Sequence, residues 1–171
     1  MEKKIVCEVS KCLQVKNVKI SMEENKVIVE AGDKKTVGFA CGILNLVRSH
    51  KSNLEGSSTL EKCLTHDWLT YCSTDLFRCQ TFEAFNGCLQ RINEALMTCS
   101  CLCGYSVTIA DVVVFLALHP FIAKWSFLQK EQYMNISRWF NFMQNNDLLC
   151  KTHSLVQFSR TLLYEGTNRM H

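Results

Sequence analysis

Thr108 and Asp111 stand three residues apart at the head of the most apolar run in the chain, and no other local feature constrains the fold as much. A Thr that precedes a helix can accept the backbone N–H three residues on, and an Asp at that third position can reach back to the N–H of the Thr. Two of the donors that every helix start leaves orphaned are then satisfied. The run Val112–Leu118 that follows is apolar nearly all round, the pattern of a helix buried on every side. Val112-Val113-Val114 would also suit a strand; the Thr-x-x-Asp pair decides for helix. His119-Pro120 is expected to kink or end it. The rest of the chain must therefore supply layers around one central helix.

Those layers read as mostly helical. Proline is nearly absent, and several segments repeat apolar residues at a 3.6 period. Before residue 50 the pattern is mixed. Ile5–Leu13 reads as a short helix, while Lys16–Ile20 and Lys26–Glu30 alternate as half-buried strands do. Asn17–Val29 then forms a hairpin with Glu24-Asn25 in the turn, and Ala31-Gly32-Asp33 is a second turn. Thr36 is expected to cap a helix whose inner face carries Val37, Ala40, Leu44 and Val47. Lys51–Ser57 reads as a polar linker. Ser58 and Glu61 form a second Thr/Ser-x-x-acid box, followed by a helix with Leu60, Leu64, Trp68 and Tyr71 inward. A further helix follows Thr81, with Phe82, Phe85, Leu89, Ile92 and Leu96 inward, and the two should pair antiparallel. The pattern breaks between Thr98 and Gly104. Asn135 is expected to cap a helix with Ile136, Trp139, Phe140 and Met143 inward, and the tail from Thr152 reads as helical with loose last residues.

Composition narrows the class. A chain of 171 residues buries roughly 70% of the surface its unfolded form exposes. With 47% hydrophobic and 20% charged residues it is an ordinary globular composition. The net charge of +3 is mild, and the early lysines (Lys3, Lys4, Lys11, Lys16, Lys19) are interspersed with acids; a nucleic-acid binder would show a clustered basic face. No leader pattern is seen, and no apolar run is long enough to span a bilayer, so a soluble, cytoplasmic protein is expected. Eleven cysteines are then expected to be small buried thiols rather than disulfides. Cys99-x-Cys101-x-Cys103 would put three thiols on one side of an extended loop. It lacks the paired Cys-x-x-Cys or His spacing of a zinc site, so packing is favoured over metal.

Motifs for chemistry are sparse. There is no Gly-rich phosphate loop, no His-Glu-x-x-His and no Gly-x-Ser-x-Gly. His119, on the buried helix, reads as a satisfied core histidine rather than a catalytic one. Trp68 and Trp139 read as core before they read as binding platforms. No catalytic residue, cofactor site or metal site is assigned.

Leu102-x-Gly104-x-x-x-Thr108-Ile109-Ala110-Asp111 resembles the start of the central helix in the C-terminal half of glutathione transferases. With Leu118-His119 and Tyr133-Met134-Asn135-Ile136-Ser137-Arg138-Trp139-Phe140, the chain resembles the non-catalytic members of that superfamily found in the multi-tRNA-synthetase complex. The resemblance implies a mainly α fold with a small α/β part. A reduced thioredoxin-like half would span residues 1–50, a linker 51–57, and an all-helical half 58–171. Glutathione transferases present backbone to glutathione from a cis-proline before a strand, and begin the next helix with an acid–Ser pair. Here Lys26-Val27-Ile28-Val29 has no proline, and Thr36-Val37-Gly38-Phe39 lacks the pair. Cys7, Ser10 and Cys12 fall on a segment that reads as helix. A scaffold is thus expected, with a glutathione transferase or glutathione-binding protein as the rival reading. The implied partners are the glutathione-transferase-like domains of methionyl- and glutamyl-prolyl-tRNA synthetases. Two faces are implied: the helices around Ala40–Val47 and Ser58–Ser73, and the turn at Arg138, whose guanidinium should point outward. A nuclear role is implied by relatives only.

Overall fold

The computed structural model describes residues 1–15, 17–24, 26–32, 34–50, 53–147, 149 and 153–158. Its first helix, α1 (Glu2–Cys12), puts Ile5, Val6, Val9 and Cys12 on one buried face, with Glu2 in its first turn and Lys11 in its last, each sign favourable to the helix dipole. Three strands follow: β1 (Val18–Glu23), β2 (Lys26–Ala31) and β3 (Lys34–Val37). They form an antiparallel meander in the order β1-β2-β3. The hairpin register pairs Ile20 with Val29 and Glu23 with Lys26, and Val29 with Thr36 on β3. Glu24 takes the positive φ of a tight turn; Asn25, the other residue expected there, lies outside the described residues, as do Lys16 and Asp33.

Thr36 does not cap a helix. It lies in β3, a strand that the sequence reading omits, and its hydroxyl donates to the Val29 carbonyl at 3.1 Å. Lys34-Lys35-Thr36-Val37 lacks an apolar alternation, because β3 is an edge strand whose residues are mostly exposed. The next helix, α2 (Phe39–Ser49), starts instead after Gly38, at φ 102°, with no side-chain cap. Val37 is exposed and Ala40 half-buried, while Phe39, Ile43, Leu44, Leu46 and Val47 are buried. The helix sits so close to β2 that a Cβ at Gly42 would lie 2.6 Å from Cγ2 of the buried Val29.

The helical remainder begins after a short 3-10 turn, Asn53–Glu55, tied to α2 by an Arg48–Glu55 ion pair. α3 (Thr59–Thr74) is capped by the Ser58–Glu61 box. Its buried face is Thr65, Leu69, Tyr71 and Cys72; Leu60 is 69% exposed, and Leu64 and Trp68 are half-buried. A second 3-10 turn, Leu76–Arg78, leads to α4 (Phe82–Ala95), where Cys88, Leu89 and Ile92 are buried and Phe82 is exposed. The expected α3–α4 pair is not the main packing: α3 lies on α2 and α5, and α4 on α7. α4 meets α3 through Arg91, whose guanidinium lies 4.2 Å from the Tyr71 ring centre.

The central helix α5 (Ile109–Ile122) runs through Pro120 rather than stopping there. The proline falls in the last turn, so the helix ends two residues later, and Ala123 still donates to the His119 carbonyl. α6 (Phe127–Gln132) and α7 (Met134–Gln144) complete the bundle. One continuous core extends from Ile5 on α1 to Met143 on α7. Beyond α7 the tail is not helical over 153–158. Both amide atoms of Gln144 bond the backbone N–H and carbonyl of Val156 at 2.9 Å, as a strand neighbour would. His119 Nε2–H donates to the Ser154 carbonyl at 3.0 Å, satisfying that buried ring. Residues 159–171, where the helix was expected to continue, lie outside the described residues. No helix among the described residues is long and apolar enough to cross a membrane.

Candidate functional site

Asp111 occupies the third position of α5 and is fully buried. Its Oδ1 accepts the Leu102 N–H and the Trp139 indole N–H, and its Oδ2 accepts the Thr108 N–H and hydroxyl, all at 2.9 Å. Four donors match the four lone-pair sites of a carboxylate. Burial pushes this carboxyl above its usual range, and the four hydrogen bonds oppose that shift. The group ties three pieces together: the loop at Leu102, the start of α5 and the middle of α7. The same loop is held to α3, because the Leu102 carbonyl accepts the Trp68 indole N–H at 3.2 Å. Thr108 and Asp111 thus sit at a structural hub, sealed from solvent.

The cysteine-rich loop is not extended. Cys101 and Gly104 exchange backbone hydrogen bonds of 2.8 and 3.2 Å, with Gly104 at φ 131°, so the chain reverses on itself. Cys101 and Cys103 are driven inside, and Cys99 is left partly exposed. The Cys103 sulfur accepts the Thr65 hydroxyl at 3.4 Å and lies 3.4 Å from the Thr108 hydroxyl oxygen, whose own proton goes to Asp111. Burial pushes Cys101 up to about 12 and raises Cys103 as well, the opposite of a reactive thiol. Among the described residues no group of three or more His, Cys, Asp or Glu is arranged to hold a metal ion.

In the N-terminal half, Cys7, Ser10 and Cys12 all lie on α1, where the Ser10 hydroxyl donates to the Cys7 carbonyl at 2.8 Å. β2 runs into β3 and then Gly38 without a proline at any step, and no described peptide bond is cis.

Arg138 lies on the exposed side of α7, yet its guanidinium turns back onto the chain. Nη2 donates to the Leu96 carbonyl and, at 3.1 Å, to the Cys99 carbonyl. It closes the C-terminal end of α4, where carbonyls lack helical partners. Asn135 is not the cap of α7. It lies in the first turn, and the cap comes from α4. Asn93 Oδ1 accepts the N–H of Asn135 (3.1 Å) and of Ile136 (3.2 Å), and the Asn93 carbonyl accepts the Asn135 amide. Arg138 and Asn93 therefore clasp α4 and α7 from opposite directions. Exposed Met134 and Phe142 belong to α7, and exposed Met97 follows the end of α4. α2 and α3, which pack on each other, expose Cys41, Leu60 and Cys63.

One feature was missed in the sequence: an apolar cleft of about 440 Å³ lined by Leu76, Phe77, Phe82, Phe85, Phe121 and Trp125, with Lys124 at its edge. The aromatic residues at 77, 82 and 85 were its signal. Phe82 was assigned inward by helical period, but it is 69% exposed on the cleft wall.

The family described as nuclear-export cofactor Arc1p matches residues 61–147. The chain is 33% identical over 132 residues to the eukaryotic translation elongation factor 1 epsilon-1 of Cricetulus griseus, covering 77% of this chain and 76% of that protein. Among solved structures it is similar to a glutathione S-transferase from Pichia kudriavzevii, with a TM-score of 0.66 at 19% identity over 87% of this chain and 89% of that one. A chain from two binary sub-complexes of the yeast aminoacyl-tRNA synthetase complex has a TM-score of 0.56 at 13% identity, over 88% of this chain and 82% of that one. At these identities the structural likeness establishes the fold, which is that of glutathione transferases with a reduced N-terminal sheet.

Proposed function

Because the chain belongs to the family of eukaryotic translation elongation factor 1 epsilon-1, we propose that it is a non-catalytic auxiliary subunit of an aminoacyl-tRNA synthetase complex and supports translation. The observation that carries this reading is the similarity to that elongation factor across about three quarters of both chains. The likeness to a chain of the yeast synthetase complex supports it. In this reading residues 1–50 are the reduced thioredoxin-like half, 51–57 the linker and 58–171 the helical half. The partners are glutathione-transferase-like domains of methionyl- and glutamyl-prolyl-tRNA synthetases. One docks on the α2–α3 face, the other on the α4–α7 face around Arg138. No cofactor takes part, and the compartment is the cytoplasm, with a nuclear pool suggested by the Arc1p description.

The rival reading is a glutathione-binding enzyme, favoured by the fold and by the apolar cleft. Affinity purification of the full chain from its own cells, with identification of bound proteins, separates the two. Recovery of synthetases without retention on immobilised glutathione is expected. Retention on glutathione, with turnover of a chlorodinitrobenzene substrate and no synthetase bound, would overturn the proposal.

A further inference from the structure

Cys79 follows the 3-10 turn Leu76–Arg78, two residues before the Thr81 cap of α4, and Cys88 lies two turns into that helix. Their sulfur atoms are 3.5 Å apart. A disulfide needs about 2.05 Å between sulfurs, so a side-chain movement on the order of 1.5 Å would close the bond. Cys79 is partly exposed and Cys88 is buried beneath it. Both line one open cleft with Thr74, Asp75, Arg78 and Thr81, which gives a small oxidant a path to the pair. The Cys79 thiol also contacts the Asp75 carbonyl at 3.3 Å, which holds it at the mouth of the cleft. Cys72, by contrast, is sealed in the core. The hub thiols Cys101 and Cys103 are also buried.

We propose that Cys79 and Cys88 form an oxidative modification site that closes an intramolecular disulfide when hydrogen peroxide oxidises Cys79. The Cys79 thiolate attacks one peroxide oxygen, the O–O bond breaks, and hydroxide leaves as water, giving a sulfenic acid. The Cys88 thiolate then attacks the Cys79 sulfur. The S–S bond forms, the S–O bond breaks, and a second water leaves. Two thiols are oxidised by two electrons and one peroxide is reduced to two waters. Burial and the neighbouring Cys88 push the Cys79 thiol up to about 11. Little Cys79 thiolate is then present at neutral pH, so the pair oxidises slowly. The bond would staple the Leu76–Arg78 turn to α4. That turn carries Phe77, which lines the apolar cleft and packs edge-on to Phe39 of α2 at 5.2 Å.

Trypsin cuts after Arg78 and Arg91, and the peptide Cys79–Arg91 holds these two cysteines and no others. The full chain is treated with hydrogen peroxide, alkylated while unfolded, and digested without reductant. The expected peptide is lighter by two hydrogens, unalkylated, and restored to two alkylated thiols by dithiothreitol. In Cys88→Ser the resolving thiol is gone, and Cys79 should be trapped as a sulfenic acid by dimedone. In Cys79→Ser, altered only at a partly exposed site, Cys88 should stay alkylatable. The proposal is overturned if the wild-type peptide keeps both thiols after peroxide, or if Cys79 is found joined to any other cysteine.

Discussion

Asp111 shows how far one buried carboxylate can organise a chain. It accepts four hydrogen bonds, from Leu102, Thr108 (twice) and Trp139. In Asp111→Asn one oxygen becomes an NH2 group that faces two of these donors. Each buried donor left unmade costs about 1–3 kcal/mol, so for two donors a loss of about 2–6 kcal/mol is expected in urea unfolding. Trp139→Phe keeps one aromatic ring and loses the five-membered ring with its single donor; its loss should be smaller, about 1–2 kcal/mol. Equal losses in the two variants would show that ring packing, not the hydrogen bonds, carries the site. Gly42 makes the opposite case. Replacing a helical Gly by Ala gains up to about 1 kcal/mol of helix propensity. Here the added Cβ would meet Val29 Cγ2 at 2.6 Å, and overpacking a core costs about 1–3 kcal/mol. Gly42→Ala should therefore lower the melting temperature, and a rise would mean that α2 can lift off the sheet freely.

Caps made within one turn could be read from spacing, and caps made across the fold could not. Ser58 and Glu61 meet because they are three apart in sequence. Asn93 and Asn135 are 42 apart, so the sequence offered Asn135 itself as the cap. Arg138 likewise looked outward because nothing local shows that the Leu96 and Cys99 carbonyls await it. Thr36 misled for a related reason: it precedes an apolar run, but an edge strand and Gly38 intervene. These tertiary caps can be tested. Asn93→Ala removes the acceptor for two helix-start N–H groups and should cost about 1–2 kcal/mol. The loss should come with hydrogen-exchange protection falling first at Asn135 and Ile136, and uniform loss of protection would argue against a local cap. The tail that crosses α5 and α7 carries a pH dependence. Burial and the neighbouring His119 hold His153 below the ordinary histidine range. The folded chain then binds that proton more weakly than the unfolded one. This contribution is fully present above about pH 6.5 and is lost as pH falls through the folded value. Melting temperature should drop on mild acidification, and His153→Gln should flatten the drop.

At the scale of the molecule, the apolar run and its Thr108–Asp111 pair were enough to bury α5, while the glutathione-transferase-like frame around it came from the resemblance carried by Leu102–Asp111 and Tyr133–Phe140. The wrong inner faces of α3 and α4 have one physical source. A helical period names an apolar stripe, and it does not say whether that stripe meets the core or an open surface. Leu60 and Phe82 lie on such stripes and are exposed. Under the proposed scaffold role, the exposed side chains of α2–α3 and of α4–α7 are the places to test for two separate partners. Leu60→Glu puts a charge on the α3 face without touching the core. Arg138→Glu reverses the charge on the α4–α7 face, but it also removes the hydrogen bonds that close α4. Arg138→Ala removes them too and should cost about 1–2 kcal/mol in its own right, so its melting temperature sets the baseline for any binding defect. With folding checked by circular dichroism, Leu60→Glu should reduce recovery of one synthetase and Arg138→Glu of the other. Each loss should be at least about tenfold if the interface loses about 1.4 kcal/mol. If Arg138→Glu weakens binding no more than Arg138→Ala does, the role of Arg138 ends at the carbonyls of Leu96 and Cys99. If either variant loses both partners together, the two faces are a single interface.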